Sequence, residues 1–77
     1  MPITIKYFAS LRETLGRGED TLDAAVAATV GEVWARATED RSPPPNLLAA
    51  VNQEYTDFEQ PVSDGDEVAF FPPVTGG

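Results

Sequence analysis

Apolar and polar residues alternate from Ile3 to Phe8. Ile3, Ile5 and Tyr7 fall on one side, Thr4, Lys6 and Phe8 on the other. Successive strand side chains point to opposite faces, so this segment reads as a half-buried strand. Ala9 to Leu15 places Leu11 and Leu15 four apart, the spacing of a short helical turn. Gly16 and Gly18 then break the chain. Glu19 to Asp23 is a weak strand with Leu22 as its strong apolar residue. The Ala24–Ala28 run fits a strand end, a loop or a helix equally.

A clearer helix follows. Thr29-Val30-Gly31-Glu32 fits a capping box, in which the threonine hydroxyl and the glutamate three residues on satisfy early amides. Val30, Val33, Trp34 and Ala37 recur at i, i+3, i+4 and i+7, the stripe of an amphipathic helix. Trp34 lies on that stripe and is expected in the core. Gly31 lowers helix propensity in the first turn. The Ser42-Pro43-Pro44-Pro45-Asn46 loop is expected to end the helix, because proline removes a donor and clashes with the preceding turn. Leu47 to Asn52 is the third strand, Asn52-Gln53-Glu54 a tight turn, and Tyr55 to Phe58 a short fourth strand. Pro61 and Ser63-Asp64-Gly65-Asp66 mark the next turn, where Gly65 is free to take a positive φ. Glu67 to Phe71 is the last strand.

One main helix with four or five strands implies a sheet wrapped over a helix. The first and last strands are the most apolar, which puts them together at the sheet centre. The β-grasp, or ubiquitin-like, fold has this arrangement. The expected class is therefore α+β, with a mixed four- to five-stranded sheet on one main helix. Residues 1–71 form the domain, and residues 72–77 an extended, flexible C-terminal tail. Strand parity adds a surface feature. If Val68 and Phe70 face the core, Phe71 faces outward. If Ile3 and Ile5 are inside, Phe8 is outside, and if Phe58 is buried, Tyr55 is on the other side. Phe8, Tyr55 and Phe71 are thus candidates for a partner interface, since contiguous exposed apolar surface marks interaction sites. The alternative is that they cover the open side of the sheet.

Composition removes several function classes. The 77 residues contain no cysteine and no histidine. Thiol chemistry, disulfides, the usual neutral-pH base and the commonest metal ligand are all absent. Catalysis would rest on Asp, Glu or the single lysine, Lys6, so the catalytic groups are expected on a partner. The net charge is −8, and from Ser42 onward there are six acids and no base. That field disfavours nucleic acid and anionic membranes and favours a protein partner with a basic surface. The N-terminal stretch lacks a basic leader and a long apolar run, so a cytoplasmic location is expected. Asp64 and Asp66 resemble a fragment of a calcium loop, but the remaining ligand positions are missing and a turn is expected. Lys6 and Arg12 are read as solvated surface. Asn52 is placed to brace either the hairpin or the tail.

The chain closes on Pro72-Pro73-Val74-Thr75-Gly76-Gly77. A glycine pair offers no side chain to pack and weakens any fold it joins. It reads either as an unpacked end or as a carboxyl presented to something else. Leu47-Leu48-Ala49-Ala50-Val51-Asn52-Gln53 and the run from Asp64-Gly65-Asp66-Glu67 through Val68-Ala69-Phe70-Phe71 to Gly77 decide between these. Together they closely resemble the ubiquitin-like sulfur-carrier family, in its molybdopterin synthase small-subunit branch. Lys6-Tyr7-Phe8-Ala9-Ser10-Leu11-Arg12-Glu13 is similar to that family's first strand and turn, whereas the Gly16–Pro45 stretch matches loosely.

The resemblance implies a cycle. A ubiquitin-activating-type enzyme adenylates the Gly77 carboxylate with ATP and magnesium. A sulfur donor protein converts the acyl-adenylate to a thiocarboxylate. The large subunit of molybdopterin synthase then draws in the tail and passes the sulfur to a cyclic pterin precursor. This chain itself binds no cofactor or metal in that scheme. Gly77 is the reacting residue, and Gly76, Thr75, Val74, Pro73 and Pro72 thread the partner's channel. From Phe71 a nearly extended chain reaches about 20 Å, at ~3.3–3.6 Å per residue. Carriers for other acceptors, such as thiamin thiazole or tRNA thiolation, share the scheme up to the thiocarboxylate. A modifier joined to lysines through its C-terminus and a passive binding module are the other readings.

Overall fold

The two strands nearest the chain ends lie side by side and parallel. The computed structural model describes residues 2–43 and 46–72, and of Val26 the backbone alone. Its elements run β1 (Ile3–Tyr7), α1 (Ser10–Leu15), β2 (Glu19–Leu22), a 3₁₀ turn (Ala24–Val26), α2 (Val30–Ala37), β3 (Leu48–Val51), β4 (Glu54–Thr56) and β5 (Glu67–Phe71). They form a five-stranded sheet in the order β2-β1-β5-β3-β4. Only the β1–β5 pair is parallel, with Ile5 opposite Val68 and Tyr7 opposite Phe70. This is the expected β-grasp arrangement, and β5 is its central strand.

The core lies between the sheet and α2. Ile3, Ile5 and Tyr7 of β1 and Val68 and Phe70 of β5 are buried, as strand alternation requires. They meet Val30, Val33 and Trp34 of α2. Phe70 is the hub: its ring lies 5.1 Å from Trp34 edge to face, 6.0 Å from Phe58 and 6.3 Å from Tyr7. Offset and edge-to-face aromatic pairs of this kind add about 0.5–1.5 kcal/mol each beyond burial. They fix the base of the strand from which the tail departs.

Local chemistry accounts for the helix ends. The Glu32 N–H donates to Thr29 Oγ1 at 3.3 Å, one half of the capping box. The other half is shifted by one residue, with the Ala28 N–H donating to Glu32 Oε1 at 2.6 Å. The remaining early amides are met from the β4–β5 connection: Val30 N–H reaches Gln60 O, and Gly31 N–H reaches Phe58 O at 2.9 Å. A β-carbon on Gly31 would sit 3.2 Å from that Phe58 carbonyl. Gly31 is therefore a close-approach residue, which its low propensity concealed. The open Ala24–Ala28 run resolves into the 3₁₀ turn, capped by Asp23, whose side chain accepts from the Ala25 N–H at 2.9 Å.

Two expectations are corrected. The prolines do not end α2, because the helix stops at Ala37, before Ser42 is reached. Thr38 Oγ1 donates back to Trp34 O at 2.7 Å, and Glu39 and Asp40 take left-handed φ values of 56° and 63°. The chain is thus turned before proline chemistry acts. The fourth strand covers Glu54–Thr56, and Phe58 lies in the following turn. Phe58 is drawn out of the strand by packing on Phe70 while its backbone carbonyl serves α2. Strand parity therefore does not relate Phe58 to Tyr55.

Candidate functional site

The helices cover one face of the sheet, and the other carries the candidate site. Register places Glu19, Lys6, Ala69, Ala50 and Tyr55 in one row across all five strands on this open face. Phe71 lies two residues beyond Ala69, opposite Leu48. Charge is thus confined to the β2–β1 side of the row, small residues occupy the middle, and aromatic surface gathers toward the end of β5.

The three aromatic candidates meet there. Phe71 contacts Phe8 edge to face with ring centroids 6.4 Å apart, and Tyr55 edge to face at 5.4 Å. Phe8 is 45% exposed and Tyr55 75% exposed. Phe71, between them, is half-buried. The result is one continuous aromatic strip across β1, β5 and β4. It is Phe71, not Phe8 alone, that joins the two exposed rings.

Backbone geometry holds Phe8 in place. Its N–H donates to Phe70 O at 3.1 Å, which extends the β1–β5 ladder by one residue. Ala9 follows with φ 55° and ψ −133°, a conformation costly for any residue with a β-carbon. That turn ends β1 and starts α1, where Leu11 N–H and Arg12 N–H bond back to Phe8 O and Ala9 O. Gly16, at φ 75°, closes α1 in the left-handed region, donating to Arg12 O.

At the other end of β5, Asn52 braces the hairpin. Its Oδ1 accepts from the Glu67 N–H and its Nδ2 donates to Asp66 Oδ1, both at 3.0 Å. Its own N–H donates to Glu67 O at 2.7 Å. Asn52 and Gln53 have φ values of 51° and 71°, the two positive angles of a type I′ hairpin turn. β3, β4 and the start of β5 are thereby locked in one register, which sets Tyr55 beside Phe71.

Of the tail, Pro72 is described, and it turns to the helix side beside Leu11 and Trp34. Pro73, Val74, Thr75, Gly76 and Gly77 lie outside the described residues. Sequence reading missed Leu48, Ala50 and Ala69 as parts of the open face. The alternation that exposes Phe71 also exposes Ala69, so that signal was available. Leu48 and Ala50 needed the β3–β5 register. Among the described residues no group of acids could hold a metal ion, and no helix is long and apolar enough to cross a membrane.

Comparison with known proteins gives this geometry a context. The sequence model of the ThiS family matches residues 5–77. The molybdopterin synthase sulfur carrier subunit of Escherichia coli (strain K12) is 46% identical, over 97% of this chain and 99% of that protein. The protein of the same name from Haemophilus influenzae is 40% identical over the same shares. The crystal structure of SAMP1, the small archaeal modifier protein 1 of Haloferax volcanii, superposes with a TM-score of 0.79. It is 28% identical, and all of both chains is covered.

Proposed function

The chain belongs to the ThiS family, and from that premise we propose that it is the sulfur-carrier subunit of a molybdopterin synthase. The observation that carries the reading is the aromatic strip at the end of β5. Phe71 anchors a docking surface on the body of the domain, and the next residues lead to Gly76 and Gly77. A carrier needs both features in that order: a surface that binds the partner and a carboxyl that reaches into it. The family match runs through residue 77, and relatives named as sulfur carrier subunits align over almost the whole chain.

The chemistry follows from the tail. A carboxylate resists substitution because its leaving group would be oxide. An adenylating enzyme using ATP and magnesium joins the Gly77 carboxylate to AMP and releases pyrophosphate. The sulfur donor then delivers sulfur at the sulfide level, this sulfur attacks the acyl carbon, and AMP departs with the electron pair of the broken C–O bond. Splitting one hard substitution into two easier steps is the general logic of covalent activation. In the large subunit the thiocarboxylate sulfur then bonds to a side-chain carbon of the cyclic pterin precursor, displacing an oxygen leaving group. Water cleaves the resulting thioester at its acyl carbon, which leaves the sulfur on the pterin and returns the Gly77 carboxylate. With no histidine or cysteine in the chain, proton transfer in that last step falls to the large subunit. Glycines at positions 76 and 77 let the end lie in a channel too narrow for a β-carbon. The expected setting is the cytoplasm, in a heterotetramer with the large subunit, and the adenylate is the only nucleotide the chain carries.

Intact mass after incubation with the activating enzyme, ATP, magnesium and a sulfur donor tests the reading. Exchange of oxygen for sulfur at the C-terminus adds about 16 Da, as expected of this covalent step. An unchanged mass with every donor would rule out the carrier role. Sulfur transfer in the presence of the large subunit and pterin precursor then identifies the acceptor. The likeness to small archaeal modifier protein 1 favours a second reading, attachment to protein lysines through Gly77. That reaction forms an isopeptide and leaves a conjugate of higher mass, whereas the carrier returns to its starting mass after transfer.

A further inference from the structure

The exit of the tail is flanked by apolar surface on both faces of the sheet, and only one face belongs to the aromatic strip. On the helix side, an apolar cleft of about 280 Å³ opens between α1, α2 and the loop after α2. Leu11, Leu15, Trp34 and Pro72 form its apolar walls, and Thr14 and Arg41 lie at its sides. Trp34 is fixed there because its indole N–H donates to Arg41 O at 2.7 Å. The volume lies at the small end of the range of ligand sites, roughly 300–1,000 Å³, and has room for a large side chain.

Charge and position identify the occupant. The chain carries a net charge of −8, and Arg41, which lines this cleft, shares with Lys6, Arg12 and Arg36 the lack of an ion pair among the described residues. A basic residue lining an apolar cleft fits an apolar side chain with a carboxylate next to it. Pro72 is both a wall of the cleft and the first residue of the tail, directly after Phe71 of the aromatic strip. A partner that admits the tail must close around this point, so its channel rim meets both surfaces.

We propose that this cleft is a second docking point for the large subunit, taking one leucine- or phenylalanine-sized side chain flanked by an acid that pairs with Arg41. The inference rests on the carrier reading and adds to it a contact on the helix side of the sheet. Such an anchor fits the pattern in which a few residues seated in pockets dominate an interface. It also makes the partner grip the base of the tail from two sides, which fixes the direction in which residues 73–77 enter the channel.

The test measures affinity for the purified large subunit of molybdopterin synthase from the same organism, by calorimetry. Thr14→Phe fills the cleft from α1, and Arg41→Glu reverses its charge. Each is expected to raise Kd about tenfold or more, with circular dichroism and Tm of the free domain unchanged. Ser42→Trp fills the cleft from the loop if Thr14→Phe disturbs the fold. Phe71→Ala is the control on the opposite face. If the cleft variants bind like the parent chain while Phe71→Ala binds weakly, the cleft is no docking point and the carrier reading stands. If the parent chain does not bind the large subunit at all, both ideas fail. The Trp34 indole N–H resonance should move on adding the large subunit and stay in place in the free Val74→Ser variant. Movement in that variant alone would place the chain's own tail in the cleft and overturn the proposal.

Discussion

Phe8 leaves the first strand and Phe71 ends the last, and the two rings meet edge to face with centroids 6.4 Å apart. The parallel β1–β5 pairing makes this contact, so the same register that closes the core assembles the open-face strip. Tyr55 joins from the opposite side of Phe71. Phe8 just past β1, Phe71 of β5 and Tyr55 of β4 thus become one surface at the root of the tail.

Phe71→Ala should separate binding from folding. Phe71 is half-buried on the face away from the core, while its neighbour Phe70 fills the core. Loss of a central interface aromatic costs about 2 kcal/mol or more, which is roughly a thirtyfold rise in Kd. Calorimetry with the large subunit should show that rise, and thermal unfolding should show a much smaller change. Phe70→Ala is the contrast, expected to cost about 3–5 kcal/mol of stability.

Ala9→Gly should stabilise the domain. At φ 55° and ψ −133°, Ala9 holds a conformation that costs of order 1–3 kcal/mol for a residue with a β-carbon. Glycine removes that strain but adds about 0.5–1 kcal/mol of unfolded-state entropy. The expected balance is a gain of about 1 kcal/mol, or roughly 4–8 °C in Tm for a domain of this size. Ala9→Val should move Tm the other way. If both variants melt like the parent, the strain at this turn is not real.

The Asn52-Gln53 turn separates side-chain bonding from backbone conformation. Asn52→Ala removes two side-chain hydrogen bonds and forces alanine into the left-handed region. The expected loss is about 2 kcal/mol. Asn52→Gly keeps the conformation and loses only the bonds, for about 1 kcal/mol. Gln53→Gly supplies the asparagine–glycine pair favoured in type I′ turns and should stabilise by up to about 1 kcal/mol. Urea unfolding of the three variants should rank them in that order.

What was legible in the sequence follows from the range of the forces involved. The strands β1 and β5 and the stripe of α2 show in local periodicity, because Ile3, Ile5, Val68, Phe70, Val30, Val33 and Trp34 each bury against the same layer. The exposed pair Phe8 and Phe71 follows from the same alternation. The true end of α2 was hidden, because it depends on Thr38 bonding back to Trp34 and on left-handed Glu39 and Asp40. Local pattern places Phe58 in a strand, whereas its position is set by Phe70 and by an amide of α2, neither of which is near it in sequence. The cleft beside Pro72 was invisible for the same reason. Its walls come from α1, α2, the loop that follows α2 and the end of β5.

Tyr7 makes stability depend on pH in the alkaline range. Its ring is only 1% exposed, and its hydroxyl has no hydrogen-bond partner among the described residues. Burial raises the phenol above its ordinary value of 10.0; the nearby Asp20 carboxylate adds to the shift, and the Arg17 guanidinium opposes it. Arg17 lies 5.8 Å from the ring centroid and is itself held by Asp20 and by Ala37 O. A group whose proton is held more tightly in the folded state contributes full stability below its unfolded value. That contribution is lost as pH rises through the folded value. Tyr7's contribution to stability should therefore be constant up to about pH 10 and fall above it. Tyr7→Phe removes both the titration and the unpaired hydroxyl. It should leave stability unchanged or raise it by up to about 1 kcal/mol at neutral pH, since a buried unbonded polar group is a cost. Urea unfolding of both proteins between pH 7 and pH 11 checks the sign: the advantage of Tyr7→Phe should widen above pH 10, and parallel curves across that range would contradict it.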